Sequence, residues 1–239
     1  MTLITRIIRK AIRGYKVVSG IWGALWICWW PYLKRKPQKI YLFPKWLWTC
    51  IFGAPHKVGY PWFSFEAVEW LDKFLTKDMK VFEWGSGGST VYFAQRVSAV
   101  ISVESSSEWH KNVSEVLKKK NIANCRYLLK EPKPSDSPKY PSTELKRRGL
   151  DFEDYCKTID EYPDGHFDLV SVDGFVRPFC IQHAFKKIKP GGFLFLDDAE
   201  QTRHIEGVAE LIGLERRDFI SPKFYIYRCH HVSIWQKPR

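Results

Sequence analysis

The stretch Val81-Phe82-Glu83-Trp84-Gly85-Ser86-Gly87-Gly88-Ser89-Thr90 constrains this chain more than any other. A short apolar run enters a glycine-rich turn, and Ser89 or Thr90 can cap a helix continuing through Arg96. Glycines at 85, 87 and 88 let the backbone turn sharply and approach a ligand with no Cβ in the way. Turns of this kind lie at strand carboxyl ends in open α/β sheets, where such sheets bind ligands. Two ligand classes are excluded. The dinucleotide pattern G-x-G-x-x-G needs glycine at 90, where Thr90 stands, and a phosphate loop needs Gly-Lys-Ser/Thr, whereas no lysine follows Gly88. Glu83, two residues before the first glycine, would repel a pyrophosphate and receive a cationic amine.

Downstream residues supply the context. Val100 to Glu104 is a second apolar strand, and Glu104 lies 17 residues past Gly87, near the spacing at which an acid binds ribose hydroxyls in doubly wound sheets. A helical pattern over 108–120 precedes a short strand over 125–129. Phe167 to Asp173 then reads as a buried strand, 180–188 as a helix, and Phe193 to Leu196 as a strand ending in Asp197 and Asp198. Segments 215–220 and 230–236 read as a closing hairpin. Apolar runs alternating with helical patterns imply parallel strands joined by crossover helices.

The order of glycine turn, acid-ended strand, Val172-Asp173-Gly174 and Lys189-Pro190-Gly191-Gly192 resembles the class I S-adenosylmethionine-dependent methyltransferases over about residues 61–235. More narrowly, Pro61-Trp62, the glycine turn, Arg177-Pro178 and Ser233-Ile234-Trp235 are similar to a group discussed beside FkbM-type and sugar-modifying enzymes. The resemblance implies an α/β, doubly wound, seven-stranded and mostly parallel sheet, with S-adenosylmethionine as cofactor. That cofactor has an amino-acid end and a sulfonium but no phosphate, as the turn requires. Glu83, Gly85, Ser86, Gly87, Gly88, Ser89, Thr90, Glu104 and Asp173 are the expected cofactor contacts. Adenine contacts have no counterpart, because Leu129-Lys130-Glu131 departs from the usual small residue and acid.

Asp173, ending a central strand, is the expected catalytic residue: general base, cofactor contact or metal ligand, against a plain cap of the turn at Gly174. With Asp197 and Asp198 it resembles the Mg²⁺ triad of catechol O-methyltransferase-like enzymes. The lysine which that group uses as a base is missing, since Phe175, Val176 and Arg177 follow instead, so no metal is expected. His204 and Arg203 could reach an anionic or hydroxylated acceptor. The fourth strand does not end in the [DN]-P-P-[YF] pattern of base methylation. The alternative to an enzyme is a scaffold that retains the fold to bind a partner.

The N-terminal segment, 1–60, is of another kind. Of the 38 Lys and Arg, 11 precede residue 66, and no Asp or Glu does, so nearly all of the net charge of +12 lies there. The remaining 61–239 is one near-neutral domain, which argues against a nucleic-acid groove. Leu3, Ile4, Ile7, Ile8, Ala11, Ile12 and Tyr15 recur at helical spacing between Arg6, Arg9, Lys10 and Arg13, a basic amphipathic pattern suited to an anionic membrane. Residues 17–33 carry no charge, and six of the 11 Trp precede residue 49. Basic residues on both sides of 17–33 favour a re-entrant or interface-lying hairpin over a single crossing. Membrane contact through residues 1–56 is therefore expected, on the cytoplasmic face, with a glycan or lipid-linked small molecule as acceptor and no nucleic-acid partner. Six cysteines without C-x-x-C spacing read as reduced thiols. Cys229-His230-His231 cannot converge on one ion, because neighbours on a strand alternate faces. The proline-rich segment 131–165 reads as a lid or substrate insertion, or as a solvated crossover.

Overall fold

The computed structural model describes residues 19–52, 59–206, 208–223 and 228–239. The amphipathic pattern over residues 3–15 lies outside them. Strands β1 (Lys80–Trp84), β2 (Ala99–Glu104) and β3 (Cys125–Leu129) are followed by a small antiparallel ribbon, β4 (Lys133–Pro134) with β5 (Leu150–Asp151). Then come β6 (Phe167–Val172), β7 (Ile188–Leu196), β8 (Arg216–Pro222) and β9 (Cys229–Gln236). Seven strands form one sheet in the order β3-β2-β1-β6-β7-β9-β8. The first five are parallel, and β9 runs antiparallel between β7 and β8. The expected hairpin is present, but its second strand slots into the sheet and its first becomes the edge.

Burial on both faces explains the near-continuous apolar runs of the central strands. On β1, Val81 and Glu83 face one side while Phe82 and Trp84 face the other, the period of two that a pleated strand imposes. Helices cover both sides. In chain order they are α1 (Trp30–Arg35), α2 (Leu42–Phe52), α3 (Phe65–Phe74), α4 (Gly88–Ala94), α5 (Ser107–Lys119), α6 (Glu153–Lys157) and α7 (Arg177–Lys187). α7 starts three residues earlier than its apolar pattern suggested. Pro178 occupies its first turn, where a fixed φ and a missing N–H are no handicap.

The N-terminal segment joins the core. Residues 19–35 are helical, with a π-turn at Leu25–Trp29 running into α1. Trp29 and Trp46 are fully buried, 5.5 Å apart between ring centroids, in one cluster with Phe63, Phe65, Phe93 and Phe195. Lys36 pairs with Glu66 and Lys39 with Glu69 on α3, and the Tyr32 hydroxyl donates to Glu66 at 3.1 Å. Among the described residues no helix is long and apolar enough to cross a membrane. Cys28 and Cys229 form a disulfide across 201 residues. This corrects the expectation of six reduced thiols, since a pairing over that distance leaves no local signature. Cys50, Cys125, Cys156 and Cys180 are free, the last two buried with sulfurs 3.8 Å apart.

Candidate cofactor cavity and acid cluster

β1 runs into Gly85, whose φ of +87° is in the left-handed region that glycine tolerates. A Cβ there would lie 2.7 Å from the backbone of Asp173 and Gly174. A Cβ at Gly174 would lie 1.9 Å from the Tyr155 hydroxyl. The two glycines thus let the turns after β1 and β6 stack on each other. Gly85 is required by protein packing, not by the ligand approach that its motif suggested. Gly87 differs: its backbone is extended, and an added Cβ would meet only Trp109, at 3.9 Å.

Glu83 is fully buried beneath the turn. Its Oε2 accepts hydrogen bonds from Thr90 Oγ1 at 2.6 Å and Ser102 Oγ at 2.8 Å, and Thr90 Oγ1 in turn accepts from the Gly87 N–H. Oε1 is buried with no partner. Burial pushes the carboxyl up to about 7, against the pull of the Ser89, Thr90 and Ser102 hydroxyls. Glu83 therefore fastens the turn to α4 and β2 and does not form cavity surface. Thr90 shares that fastening.

Glu104, ending β2, takes four hydrogen bonds. Ser86 N and Oγ donate to Oε2 at 3.2 and 2.8 Å, and Ser105 N and Ser106 N donate to Oε1 at 2.7 and 2.9 Å. The Ser86 hydroxyl also lies 2.6 Å from Tyr127 Oη, and Trp109 Nε1 donates to Ser86 O at 2.8 Å. Above the turn is a cavity of about 220 Å³ lined by Trp62, Ser86, Gly87, Gly88, Ser89, Trp109 and Asp173. Five of the nine expected cofactor residues thus border it directly. Trp109 and Tyr127 were missed as site residues. Trp109 lies five residues past Glu104, in the first turn of α5, and its indole folds back over the glycine turn.

The three acids at the strand ends gather around Arg177 but have different partners. Asp173 borders the cavity, with Oδ1 3.3 Å from Arg177 Nη2. Burial, with Asp197 nearby, raises its carboxyl well above the usual range, opposed by Arg177 and Lys223. Asp197 is buried, with Oδ2 2.9 Å from Lys223 Nζ. Asp198, at φ +51°, meets Arg177 Nη2 at 3.1 Å and His230 Nδ1 at 2.9 Å. Burial works against its ionisation, but His230, Arg177 and Lys223 hold it below the usual carboxylate range. Arg177 also donates to the carbonyls of Gly174, Asp173 and Asp197. Lys223 was missed as a neighbour of these acids, and Arg177 and His230 stood in quoted motifs without being assigned to them.

Among the described residues the one group with metal-ligand spacing is Asp197, Asp198 and His230, within 4.8 Å of one another. Asp173 is not part of it, so the Mg²⁺ triad is not assembled. Lys223 and Arg177 already place protein cations on these carboxylates, and Lys223 Nζ sits 3.3 Å from His230 Nδ1. The donor set does not fit Mg²⁺, which demands oxygen ligands in octahedral array. His231 points away to Asp218, 3.1 Å distant, as strand alternation requires.

A second, polar cavity of about 150 Å³ lies across Gly174 and Arg177. Pro141 to Glu144 of the insertion line one wall, and Asp198, Gln201, Arg203 and His204 the other. Burial, with Arg177 and Arg203 close by, pushes His204 down to about 4, so it is neutral near pH 7. The later part of the insertion is structural: Phe152, Tyr155 and Ile159 are core.

The fold recurs in solved structures. A methyltransferase from Streptococcus mutans in complex with SAH matches at 14% identity and a TM-score of 0.50, over 72% of this chain and 96% of that one. An rRNA methylase from Streptococcus thermophilus matches at 15% and 0.50, over 73% and 95%. The chain has the class I methyltransferase fold. A precorrin-6y C5,15-methyltransferase from Geobacter metallireducens shares it at 16% identity and a TM-score of 0.50, over 71% of this chain and 86% of that one. No protein-family model and no curated protein matches the sequence.

Proposed function

We propose that this chain is an S-adenosylmethionine-dependent methyltransferase acting on a hydroxyl of a carbohydrate-like or lipid-linked small molecule. The observation that carries the reading is the cavity over the Ser86–Ser89 turn, closed by two indoles and bordered by a single acid, Asp173. Its chemistry suits a cofactor with a cationic centre: Trp faces attract cations, and the orphaned Glu83 Oε1 lies beneath the turn. The residues that would hold the cofactor are Ser86 to Ser89, Trp62 and Trp109, with Glu104 taking the ribose once the Ser86 hydroxyl yields its place. When bound, the cofactor supplies an electrophilic methyl on positively charged sulfur. Asp173 would remove the acceptor's proton, and burial beside Asp197 raises its carboxyl above the usual range and so makes it a stronger base. Arg177 fixes its orientation. The fold match to a protein holding SAH supports the cofactor class, and the near-neutral domain supports a small acceptor over nucleic acid.

One observation favours a non-catalytic scaffold instead: all four acceptor positions of Glu104 are already filled by the protein. Calorimetry with S-adenosylmethionine separates the two readings. The parent should bind, and Gly87→Ala, whose methyl enters the cavity without backbone strain, should fold normally and bind at least about tenfold more weakly, a difference of about 1.4 kcal/mol. A parent that binds nothing makes the scaffold the better reading.

A further inference from the structure

The helix over 19–35 buries Trp29 and Tyr32 and turns Trp22, Trp26 and Trp30 outward. Ile27 is 76% exposed and Trp26 64%, and Trp22 and Trp30 are more than half exposed. Trp22, Trp26 and Trp30, with Leu25, Leu33 and Ile40, line an apolar groove of about 290 Å³, and Ile27 stands exposed beside Trp26 in the chain. A surface of that composition is rare on a protein that meets only water. Its surroundings carry one sign of charge: residues 19–52 contain Lys34, Arg35, Lys36, Lys39 and Lys45 and no acid. Lys36 and Lys39 are spent on Glu66 and Glu69. Among the described residues Lys34 and Arg35 make no ion pair, and Lys34 Nζ lies 5.3 Å over the Trp30 ring. Indoles beside lysines and arginines match the two layers of a bilayer interface, the rings at acyl depth and the cations at anionic headgroups.

The location is equally specific. Cys28 is bonded to Cys229, the first residue of β9. β9 runs antiparallel to β7, so its start lies at the sheet edge where β7 ends. The next residue, His230, meets Asp198, which shares Arg177 with Asp173 at the cavity. The aromatic face is thus fastened to the same edge of the sheet as the candidate site.

We infer that this face docks on an anionic phospholipid bilayer and holds the mouth of the cofactor cavity at the lipid surface. The consequence for the acceptor rests on the methyltransferase reading; the docking does not. Co-sedimentation of the full chain tests it, with phosphatidylcholine–phosphatidylglycerol vesicles and with phosphatidylcholine alone. The parent should bind the mixed vesicles and keep part of that binding at high salt, because burial of Trp and Ile is not screened. The triple variant Trp26→Ser, Ile27→Ser, Trp30→Ser changes only exposed positions. It should partition at least about tenfold less, with the residue of its binding abolished by salt. Equal partitioning of parent and variant would overturn the inference, as would complete release of the parent by salt. A parent that ignores both vesicles but self-associates through the same three residues would assign the face to a second copy instead. S-adenosylmethionine binding, measured by calorimetry on both proteins, should be unchanged by the substitutions. A parent that binds vesicles but no cofactor would support the docking and count against the methyltransferase reading alone.

Discussion

Gly85 and Gly87 stand two residues apart in one motif and are needed for different reasons. An alanine at 85 must hold φ near +87° and push against the Asp173–Gly174 backbone. Gly85→Ala should cost about 2–4 kcal/mol in chemical denaturation, through strain and overpacking, while Gly87→Ala stays near the parent. Equal losses at both positions would remove this distinction. Glu83 makes stability depend on pH in a set direction. Its folded-state carboxyl titrates at about 7 and its ordinary value is 4.5. Below 4.5 both states are protonated and nothing is lost. As pH rises toward 7 the unfolded chain sheds its proton and the folded one keeps it, so stability falls by about 3 kcal/mol across that window. Glu83→Gln keeps the shape and should flatten the slope between about pH 4.5 and 7, read from denaturant midpoints. An unchanged slope would place the titration elsewhere.

At the scale of elements, the turn after β6 and the first turn of α7 act as one unit. Val176 is forced to φ +48°, a rare state for a β-branched residue, and the next residue, Arg177, turns back to bind three carbonyls and the carboxylates of Asp173 and Asp198. A guanidinium offers that many donors in a fixed fork, and an ammonium does not. The clamp holds Asp173 at the cavity while Lys223 neutralises Asp197. Asp173→Asn should therefore lower turnover by roughly 10²–10⁴, the range for a positioned base, with cofactor affinity little changed. Chelators should leave the parent's rate untouched, because protein cations occupy the acid cluster. Inhibition by a chelator, reversed by Mg²⁺, would show that this electrostatic account is incomplete.

The parts of the molecule legible in the sequence are those written locally. Glycine spacing, acid-ended strands and alternating apolar runs revealed the doubly wound sheet and most of the cavity lining, because each depends on residues within one turn or strand. Trp109 over Ser86, Lys223 on Asp197 and Cys28 on Cys229 depend on residues 23 to 201 apart, and no periodicity encodes them. Composition marked the N-terminal segment as aromatic and basic. It could not say that Trp29 and Trp46 would be core while Trp22 and Trp26 stayed outside, because that division is made by the sheet the helix lands on. The disulfide is the covalent part of this landing. Cys28→Ser should lower stability by about 2–5 kcal/mol under oxidising conditions and by nothing under reducing ones. Identical curves in both buffers for parent and variant would mean that the bond does not form.

The same pairing has a consequence in time. The seat for Trp29 and Trp46 includes Phe219, Val232 and Ile234, which belong to the last two strands. A ribosome adding about 5–20 residues per second makes Cys28 wait roughly 10–40 s for Cys229 to be synthesised. Throughout that interval the nascent chain displays both faces of its aromatic helix, the one destined for the core as well as the one that stays outside. Whatever shelters it then, chaperone or lipid, meets the protein before the sheet edge that carries the candidate site exists.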